Sequence, residues 1–336
     1  MKKLLASTIL VTGFITAAGA ANSANAAETC GNITIAEMNW ASAGVAAYVD
    51  KFIMENGYDC TVNVISGDTT PTFTSMNEKG QPDMAPEMWV NTLGTPYEEA
   101  VKKGNLIQEV KILSEGGVEG WWIPKYLADE HPDIKTVEDA LKHPELFPAP
   151  EDASKGAVFG CPPGWGCQPT TANLFKARKA DEKGFALIDT GSAAGLDGSI
   201  SNAYEKKQGW LGYYWSPTAI LGKYDMVKLD DGVALDREAY DTCIAKPDCA
   251  DPKPNAYPVA EVFTVVTKDF AEKAGPSIDY IRKRQWDNAT VAGVLAWMDD
   301  NQGTNEDGAE YFLENHEDIW TKWVSPEVAE KIKASM

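Results

Sequence analysis

The chain has 336 residues, 44% of them hydrophobic and 24% charged, which is typical of a globular protein large enough for two domains. Its 50 acidic and 30 basic residues leave a formal net charge of −20 at pH 7. Such a chain cannot neutralise a run of phosphates, so nucleic acid is excluded as a partner. Attachment to an anionic membrane surface is disfavoured for the same reason.

The N-terminus is typical of a secretory signal peptide. Lys2 and Lys3 precede an apolar run, which ends near a small-x-small cleavage site at residues 24–26. We expect cleavage before Ala27, so that residues 1–26 are removed from a secreted protein. A transmembrane anchor is the alternative, but the run is short for a membrane span and is interrupted by Thr and Gly. No direct membrane insertion is therefore expected of the mature chain.

The segment after the signal peptide alternates between strand and helix patterns. The predicted elements are a strand at 32–40 that runs into a loop, a helix at 42–58 with Gly57 as its stop, a strand at 60–66, a short helix and turn at 70–81, and a strand at 82–90. This β-α-β-α-β order predicts the start of a parallel sheet with helices outside it.

A second unit begins near residue 120, and its pattern predicts a helix at 136–141 and a β-α unit that leads to 210–221. A strand followed by a helix is predicted at 256–275, and the last sixty residues or so are predicted to be helical. The whole pattern predicts two α/β lobes joined by two chain crossings, near 115–120 and 255–260. Residues 27–118 plus 258–336 would form lobe 1, and residues 119–257 would form lobe 2.

The six cysteines suit a secreted chain. We expect three disulfides, of which the first two follow from proximity and the third from elimination: Cys161–Cys167, Cys243–Cys249 and Cys30–Cys60. Other connectivities stay open, because six cysteines can pair in several ways. Zinc is the alternative, but the C-x5-C spacing is unlike common zinc sites and the chain has only three histidines. We expect no metal and no cofactor.

The chain has 11 tryptophans, and four of them, Trp40, Trp89, Trp165 and Trp215, fall at predicted strand ends or turns. Ligands in open α/β sheets bind beyond the carboxyl ends of the strands. Tryptophan faces that converge in such a cleft would form a cage for a cation that cannot be hydrogen-bonded, such as a quaternary ammonium group. For Trp286, Trp297, Trp320 and Trp323, in the C-terminal helical segments, we expect ordinary packing.

The segments "GCPPGWGCQ", "MWV" and "YYWSP" together resemble the glycine betaine-binding proteins of ABC importers in Gram-negative bacteria. The resemblance covers most of the mature chain and implies a two-lobed periplasmic receptor with a tryptophan cage. It implies that Trp89, Trp165 and Trp215 are cage walls and that a Cys161–Cys167 disulfide flanks the middle one. Trp40 looks like a fourth wall, similar to relatives that bind trimethylamine N-oxide in a box of four tryptophans.

The sequence departs from this family at one position. Betaine binders of this type usually carry a histidine four residues beyond the first cage tryptophan, and here that residue is Leu93. The backbone amides of Gly166 and Cys167 remain as donors for an anionic oxygen. The missing histidine favours a smaller head group, such as an N-oxide, or choline. Glu119, which precedes the predicted hinge strand "GWWIP", is expected to add negative charge to the cage or, alternatively, to be a solvated hinge residue.

The loop around Trp165 is expected to be rigid before a ligand arrives. Pro162, Pro163 and the predicted disulfide limit its freedom, so little conformational entropy remains to be lost on binding. Gly164 and Gly166 permit backbone shapes that hold Trp165 outward and leave amides free. The alternative is a loop that serves only as a structural staple.

Two functions from different classes remain. The first is a non-enzymatic periplasmic receptor that binds trimethylamine N-oxide or glycine betaine, with choline as a further option, and delivers it to an inner-membrane ABC permease. The second is a secreted carbohydrate-active enzyme, a glycoside hydrolase, with tryptophan platforms and paired carboxylates. The chain contains no G-x-S-x-G, H-E-x-x-H, P-loop or G-x-G-x-x-G motif, so we predict the receptor.

Overall fold

The computed structural model describes residues 30–336, and the predicted signal peptide lies outside the described residues. The strands are β1 (Asn32–Met38), β2 (Thr61–Gly67), β3 (Met84–Trp89), β4 (Leu106–Lys111), β5 (Gly117–Pro124), β6 (Gly156–Phe159), β7 (Phe185–Ile188), β8 (Gly212–Ser216), β9 (Met226–Lys228), β10 (Val259–Ala260) and β11 (Val262–Thr267).

The helices are α1 (Ala41–Tyr58), α2 (Thr69–Lys79), α3 (Thr95–Lys103), α4 (Lys125–Glu130), α5 (Val137–Ala140), α6 (Cys167–Ala177), α7 (Ala193–Lys206), α8 (Ala219–Lys223), α9 (Arg237–Ala239), α10 (Lys268–Lys273), α11 (Ser277–Ile281), α12 (Asn288–Asn301), α13 (Asn305–Asn315), α14 (Glu317–Trp320) and α15 (Pro326–Lys333). A π-helical turn, Tyr240–Ile244, follows α9. None of the helices between residues 30 and 336 is long and apolar enough to cross a membrane.

The strands form two sheets. The first has the order β2-β1-β3-β11-β4, and the second has the order β10-β5-β8-β6-β7 with β9 paired to β5. The chain passes from the first sheet to the second between β4 and β5 and returns between β10 and β11. We call the first sheet with α1–α3 and α10–α15 lobe 1, and the second sheet with α4–α9 lobe 2. The molecule is thus an α/β protein of two lobes.

Lobe 1 begins with the β-α-β unit that the sequence predicts. Ile33 and Ile35 are buried on β1, and α1 buries most of its length against the sheet. β1 is parallel to both β2 and β3, whereas β11 is antiparallel to β3 and β4. The carboxyl ends of β1 and β3 therefore meet at one edge of the sheet, where a ligand is expected in this architecture.

The predicted stop of α1 at Gly57 is wrong. Gly57 lies within the last turn, where a Cβ atom would come within 2.8 Å of Cγ1 of Val328, so the missing side chain makes room for α15. The left-handed conformation that ends the helix belongs to Asp59, with φ of 55°.

The strand predicted within 256–275 is divided between the two sheets. β10 pairs with β5 in the second sheet, whereas β11 pairs with β3 and β4 in the first. Glu119 also differs from the prediction, because it is the third residue of β5 and does not precede the hinge strand. The C-terminal segment is helical, as predicted, from α11 to α15.

Three disulfides close local segments of the fold. The bonded pairs are those that the sequence predicts, Cys30–Cys60, Cys161–Cys167 and Cys243–Cys249. The second pair frames the loop between β6 and α6, and Cys167 is the first residue of α6. This disulfide therefore fixes the start of a helix and the position of the loop before it.

Candidate ligand-binding site

A cavity of about 300 Å³ lies between the two lobes. Its lining residues are Trp40, Thr69, Trp89, Thr92, Glu119, Trp165, Gly166, Cys167, Tyr213 and Trp215. All seven residues that the sequence predicts for ligand binding are among them. Half of the lining residues are aromatic, and the lining includes one carboxylate but no lysine, arginine or histidine.

Lobe 1 supplies Trp40 and Trp89. Trp40 follows β1 and is the last extended residue before α1, with φ of −135° and ψ of 153°. Trp89 is the final residue of β3. Because β1 and β3 are parallel neighbours, the ends of the two strands bring both indoles to the same edge of the sheet.

Lobe 2 supplies Trp165 and Trp215. Trp165 lies in the disulfide-framed loop, and Trp215 lies near the end of β8. The ring centroids of Trp165 and Trp215 are 4.9 Å apart, at an interplanar angle of 85°. Trp165 and Trp40 are 5.3 Å apart, at 71°. Trp165 therefore makes an edge-to-face contact with one tryptophan of each lobe, an arrangement that aromatic pairs favour.

The expectation that Trp165 is held outward is wrong for this conformation. Trp165 is 5% exposed, and Trp40, Trp89 and Trp215 are 6%, 8% and 5% exposed. The lobes are closed over one another, so the ring that the loop holds out meets the opposite lobe instead of solvent. The Trp165 indole N–H donates to Oδ1 of Asn39 in lobe 1, and the Thr70 amide donates to the Gly164 carbonyl at 3.2 Å.

Gly166 is required by a close approach between the lobes. A Cβ atom at this position would lie 1.8 Å from Oγ1 of Thr92. Gly166 immediately precedes α6, and the backbone amides of Gly166 and Cys167 donate to no other group among residues 30–336. Both residues line the cavity at the start of an 11-residue helix, and unpaired amides at a helix start attract negative charge.

Glu119 places a carboxylate at the cavity from lobe 2. It is 2% exposed and is paired in register with Trp215 across β5 and β8. Its Oε1 accepts from the Tyr213 hydroxyl at 2.8 Å, and its Oε2 accepts from Nδ2 of Asn91 at 3.0 Å. Burial raises the pKa of Glu119, and the two hydrogen bonds partly oppose that rise. The alternative of a solvated hinge residue is wrong.

Glu87 is fully buried next to the tryptophans of lobe 1, outside the cavity. Its Oε1 accepts from the indole N–H groups of Trp40 and Trp89, at 2.7 and 3.0 Å. Burial raises its pKa, while the hydrogen bonds and the charge of Arg284 lower it. Glu87 was not predicted from the sequence, although it is the one charged residue within an otherwise apolar strand.

Leu93 is buried but does not line the cavity. It faces a separate groove, and its neighbour Thr92 faces the cavity instead. A histidine at position 93 with this backbone would therefore need a different local conformation to reach the ligand site. Thr69, Thr92 and Tyr213 were not predicted from the sequence, because threonines at helix starts and turns and a tyrosine within a buried strand carry no distinctive pattern.

The C-terminal tryptophans take no part in the cavity. Trp286, Trp320 and Trp323 are buried within lobe 1, and Trp297 stacks on Tyr311 with centroids 4.4 Å apart. Their packing agrees with the prediction. Within residues 30–336, no three or more His, Cys, Asp or Glu side chains converge in a way that could hold a metal ion.

Two lobes connected by two crossings, with a closed cavity between them, define a solute-binding protein of the periplasmic type. The family described as the substrate-binding domain of the ABC-type glycine betaine transport system matches residues 31–315. The chain belongs to this family. It is a family of solute-binding proteins, not of enzymes, which favours the receptor over the glycoside hydrolase.

Three solved structures are similar in fold. ProX of Borrelia burgdorferi, a glycine/betaine/L-proline-binding protein, gives a TM-score of 0.71 at 17% identity over 90% of this chain and 99% of that one. Lactococcal OpuAC, closed and complexed with glycine betaine, gives 0.66 at 18% identity over 88% and 99%. An ABC-transporter choline-binding protein in complex with choline gives 0.70 at 17% identity over 91% and 98%. At these identities the likeness shows the shared fold.

Proposed function

We propose that the mature protein is a periplasmic receptor that binds trimethylamine N-oxide in the cavity between its lobes and delivers it to an ABC permease. The observation that carries the proposal is the closed set of four tryptophans around one cavity, Trp40, Trp89, Trp165 and Trp215. A methylated ammonium group has no N–H to donate, so it is held by aromatic faces and by burial of its methyl groups.

The remaining lining favours a head group with one anionic oxygen. A full carboxylate is usually held by a cationic side chain or several donors, and the cavity lining contains no Lys, Arg or His. The free amides of Gly166 and Cys167 suit a single N-oxide oxygen. Glu119 disfavours a second negative group in the same space. We therefore place trimethylamine N-oxide ahead of glycine betaine, and ahead of choline, whose neutral hydroxyl makes less use of the two amides.

Family membership and the solved neighbours support this class of ligand, since the neighbours include proteins complexed with glycine betaine and with choline. In this proposal, lobes 1 and 2 close on the ligand around the connections between β4 and β5 and between β10 and β11. The predicted signal peptide supports export to the periplasm.

Intrinsic tryptophan fluorescence of the mature protein, titrated with trimethylamine N-oxide, glycine betaine, choline and glucose, tests the proposal. We expect saturable changes with the three methylated ammonium compounds, tightest with trimethylamine N-oxide, and none with glucose. If glucose alone were bound, the result would favour the glycoside hydrolase over the receptor. Tighter binding of glycine betaine would refute the N-oxide preference while preserving the class.

A further inference from the structure

The carboxylate of Glu87 connects the two tryptophans of lobe 1. Its Oε1 accepts three hydrogen bonds, from Nε1 of Trp40 at 2.7 Å, from Nε1 of Trp89 at 3.0 Å and from Oγ of Ser42 at 2.9 Å. Glu87 itself does not line the cavity. It therefore contacts the N–H edge of each ring from outside the cavity.

The local structure explains why these four groups meet. Glu87 and Trp89 are two residues apart on β3, so their side chains lie on the same face of the sheet. Trp40 and Ser42 lie at the start of α1, immediately after the neighbouring strand β1. All four residues belong to lobe 1, so the arrangement does not depend on closure of the lobes. It is preorganised for the ligand.

Within residues 30–336, Glu87 has one unpaired oxygen and shares a buried cation with a second carboxylate. Oε2 of Glu87 is buried and has no hydrogen-bond partner among the described residues. The charge of Arg284 lowers the pKa of Glu87, and this fully buried guanidinium also lies 2.7 Å from Oδ1 of Asp50. One buried cation thus acts on two buried carboxylates.

An anionic acceptor changes what an indole ring offers to a ligand. A hydrogen bond from the indole N–H to a carboxylate polarises the ring and makes its face more negative. The face then attracts a cation more strongly, while a neutral group of the same shape gains little. The attraction also acts directly between the ligand cation and the carboxylate, in a site from which water is excluded.

We infer that Glu87 is the positioning and charge-selecting residue of the cage, which orients Trp40 and Trp89 and makes them prefer a methylated cation over its neutral isostere. This inference rests on the proposed function. In this inference, a residue outside the cavity makes the site bind a trimethylammonium group more tightly than a tert-butyl group.

The test compares Glu87→Gln with Glu37→Gln in calorimetric and competition titrations. The ligands are trimethylamine N-oxide and tert-butanol, which has nearly the same shape but no positively charged nitrogen. Glu37 is a matched control because it lies on β1 of the same sheet and accepts a hydrogen bond, from Nδ2 of Asn305 at 2.7 Å. We expect Glu87→Gln to weaken binding of the N-oxide about tenfold or more and that of tert-butanol less than about twofold. Glu37→Gln should change neither.

An equal loss of affinity for both ligands would show that Glu87 has only a structural role. Unchanged affinity for both ligands would show that Glu87 does not contribute to binding. Both outcomes overturn the inference while the proposed function stands, whereas failure of the unmodified protein to bind any of the methylated ammonium compounds would overturn the proposed function itself.

A second measurement on the unmodified protein covers the case in which Glu87→Gln does not fold. In ¹H–¹⁵N NMR spectra of the ligand-free protein, we expect the indole N–H signals of Trp40 and Trp89 to shift together with pH, with a common midpoint, because they share one acceptor. The other charged groups near this acceptor are Arg284, which acts electrostatically on Glu87, and Asp50, which forms a salt bridge with Arg284. Independent midpoints for the two indoles would contradict the inference.

Discussion

At the scale of single residues, Trp165 contacts both lobes within the proposed cage. It is the only one of the four cage tryptophans for which the structure shows edge-to-face contacts with a ring of each lobe, Trp40 and Trp215. Its indole N–H is also bonded across the cleft to Asn39. Its ring is thus a wall of the cavity and part of the contact that closes the lobes.

Trp165→Ala should therefore weaken binding of trimethylamine N-oxide by about 1–3 kcal/mol, with the fold intact, because cation–π contact, packing and a closing contact are lost together. Trp165→Phe should retain more affinity than Trp165→Ala, since it keeps an aromatic face. Isothermal titration calorimetry measures both variants.

Trp297→Ala is the control for this comparison, because Trp297 stacks on Tyr311 in lobe 1 and does not line the cavity. It should leave ligand affinity unchanged. Wild-type affinity in a well-folded Trp165→Ala protein would show that the four rings are packing and not a binding site.

At the scale of elements, the disulfide-framed loop before α6 combines two tasks. Cys161 and Cys167 are separated by 6 positions, so chain-entropy stabilisation from this link is modest, about 2 kcal/mol. The same link fixes Trp165 and the amides of Gly166 and Cys167 at the cavity. Its effect on binding should therefore exceed its effect on stability.

The double variant Cys161→Ser/Cys167→Ser tests this difference. We expect ligand affinity to fall by a larger factor than the folding equilibrium constant, because the loop gains freedom that binding must then remove. A denaturant unfolding curve and a ligand titration on the same protein give the two factors. A large loss of stability with unchanged ligand affinity would show that the disulfide of this loop stabilises the fold and does not contribute to binding.

The hinge strand β5 also shapes the cage. A Cβ atom at Gly117 would lie 2.2 Å from Cη2 of Trp89, so the absence of a side chain leaves room for this ring. Gly117→Ala should displace the Trp89 ring and weaken ligand binding about tenfold, as measured by calorimetry, because overpacking forces neighbouring side chains to move.

Gly198→Ala on α7 is the matched control, because no atom beyond its chain neighbours and the backbone of α7 lies within 4 Å of a Cβ there. It should leave affinity unchanged and is expected to stabilise the helix slightly. Equal affinities for the two alanine variants would show that the ring of Trp89 can move without effect on the site.

Much of this arrangement could be predicted from the sequence because it depends on local patterns. The alternation in β1, the length of α1 and the placement of Trp40 and Trp89 at strand ends all follow from neighbouring residues. The hydrogen bonds of Glu87 could not be predicted, since they depend on which side chains of β3, the β1–α1 loop and α1 face one another. The division of 256–275 between two sheets likewise depends on long-range pairing, which residue patterns do not record.

At the scale of the whole molecule, each lobe contributes two tryptophans and one buried carboxylate, Glu87 in lobe 1 and Glu119 in lobe 2. Closure brings these two carboxyl groups toward one cavity, where they repel each other when both are ionised. A methylated cation placed between them offsets that repulsion, so closure should be more favourable with ligand than without it.

Binding should consequently weaken in acid. Burial raises the pKa of both Glu87 and Glu119 above the ordinary glutamate value, and protonation as pH falls removes the negative charge that attracts the cation. The groups facing them are Arg284 for Glu87, and Tyr213 and Asn91 for Glu119. Tetramethylammonium, which does not titrate, should therefore bind less tightly at about pH 5 than at about pH 8. A calorimetric dissociation constant that does not change over this range would show that neither carboxylate acts on the ligand.

A crystal structure of the mature protein with trimethylamine N-oxide tests the proposed ligand site most directly. We predict that the ligand nitrogen lies within about 6 Å of the ring centroids of Trp40, Trp89, Trp165 and Trp215, with its oxygen directed at the amides that begin α6. A ligand bound elsewhere, or one that touches the rings of a single lobe while the other pair stays apart, would contradict the account.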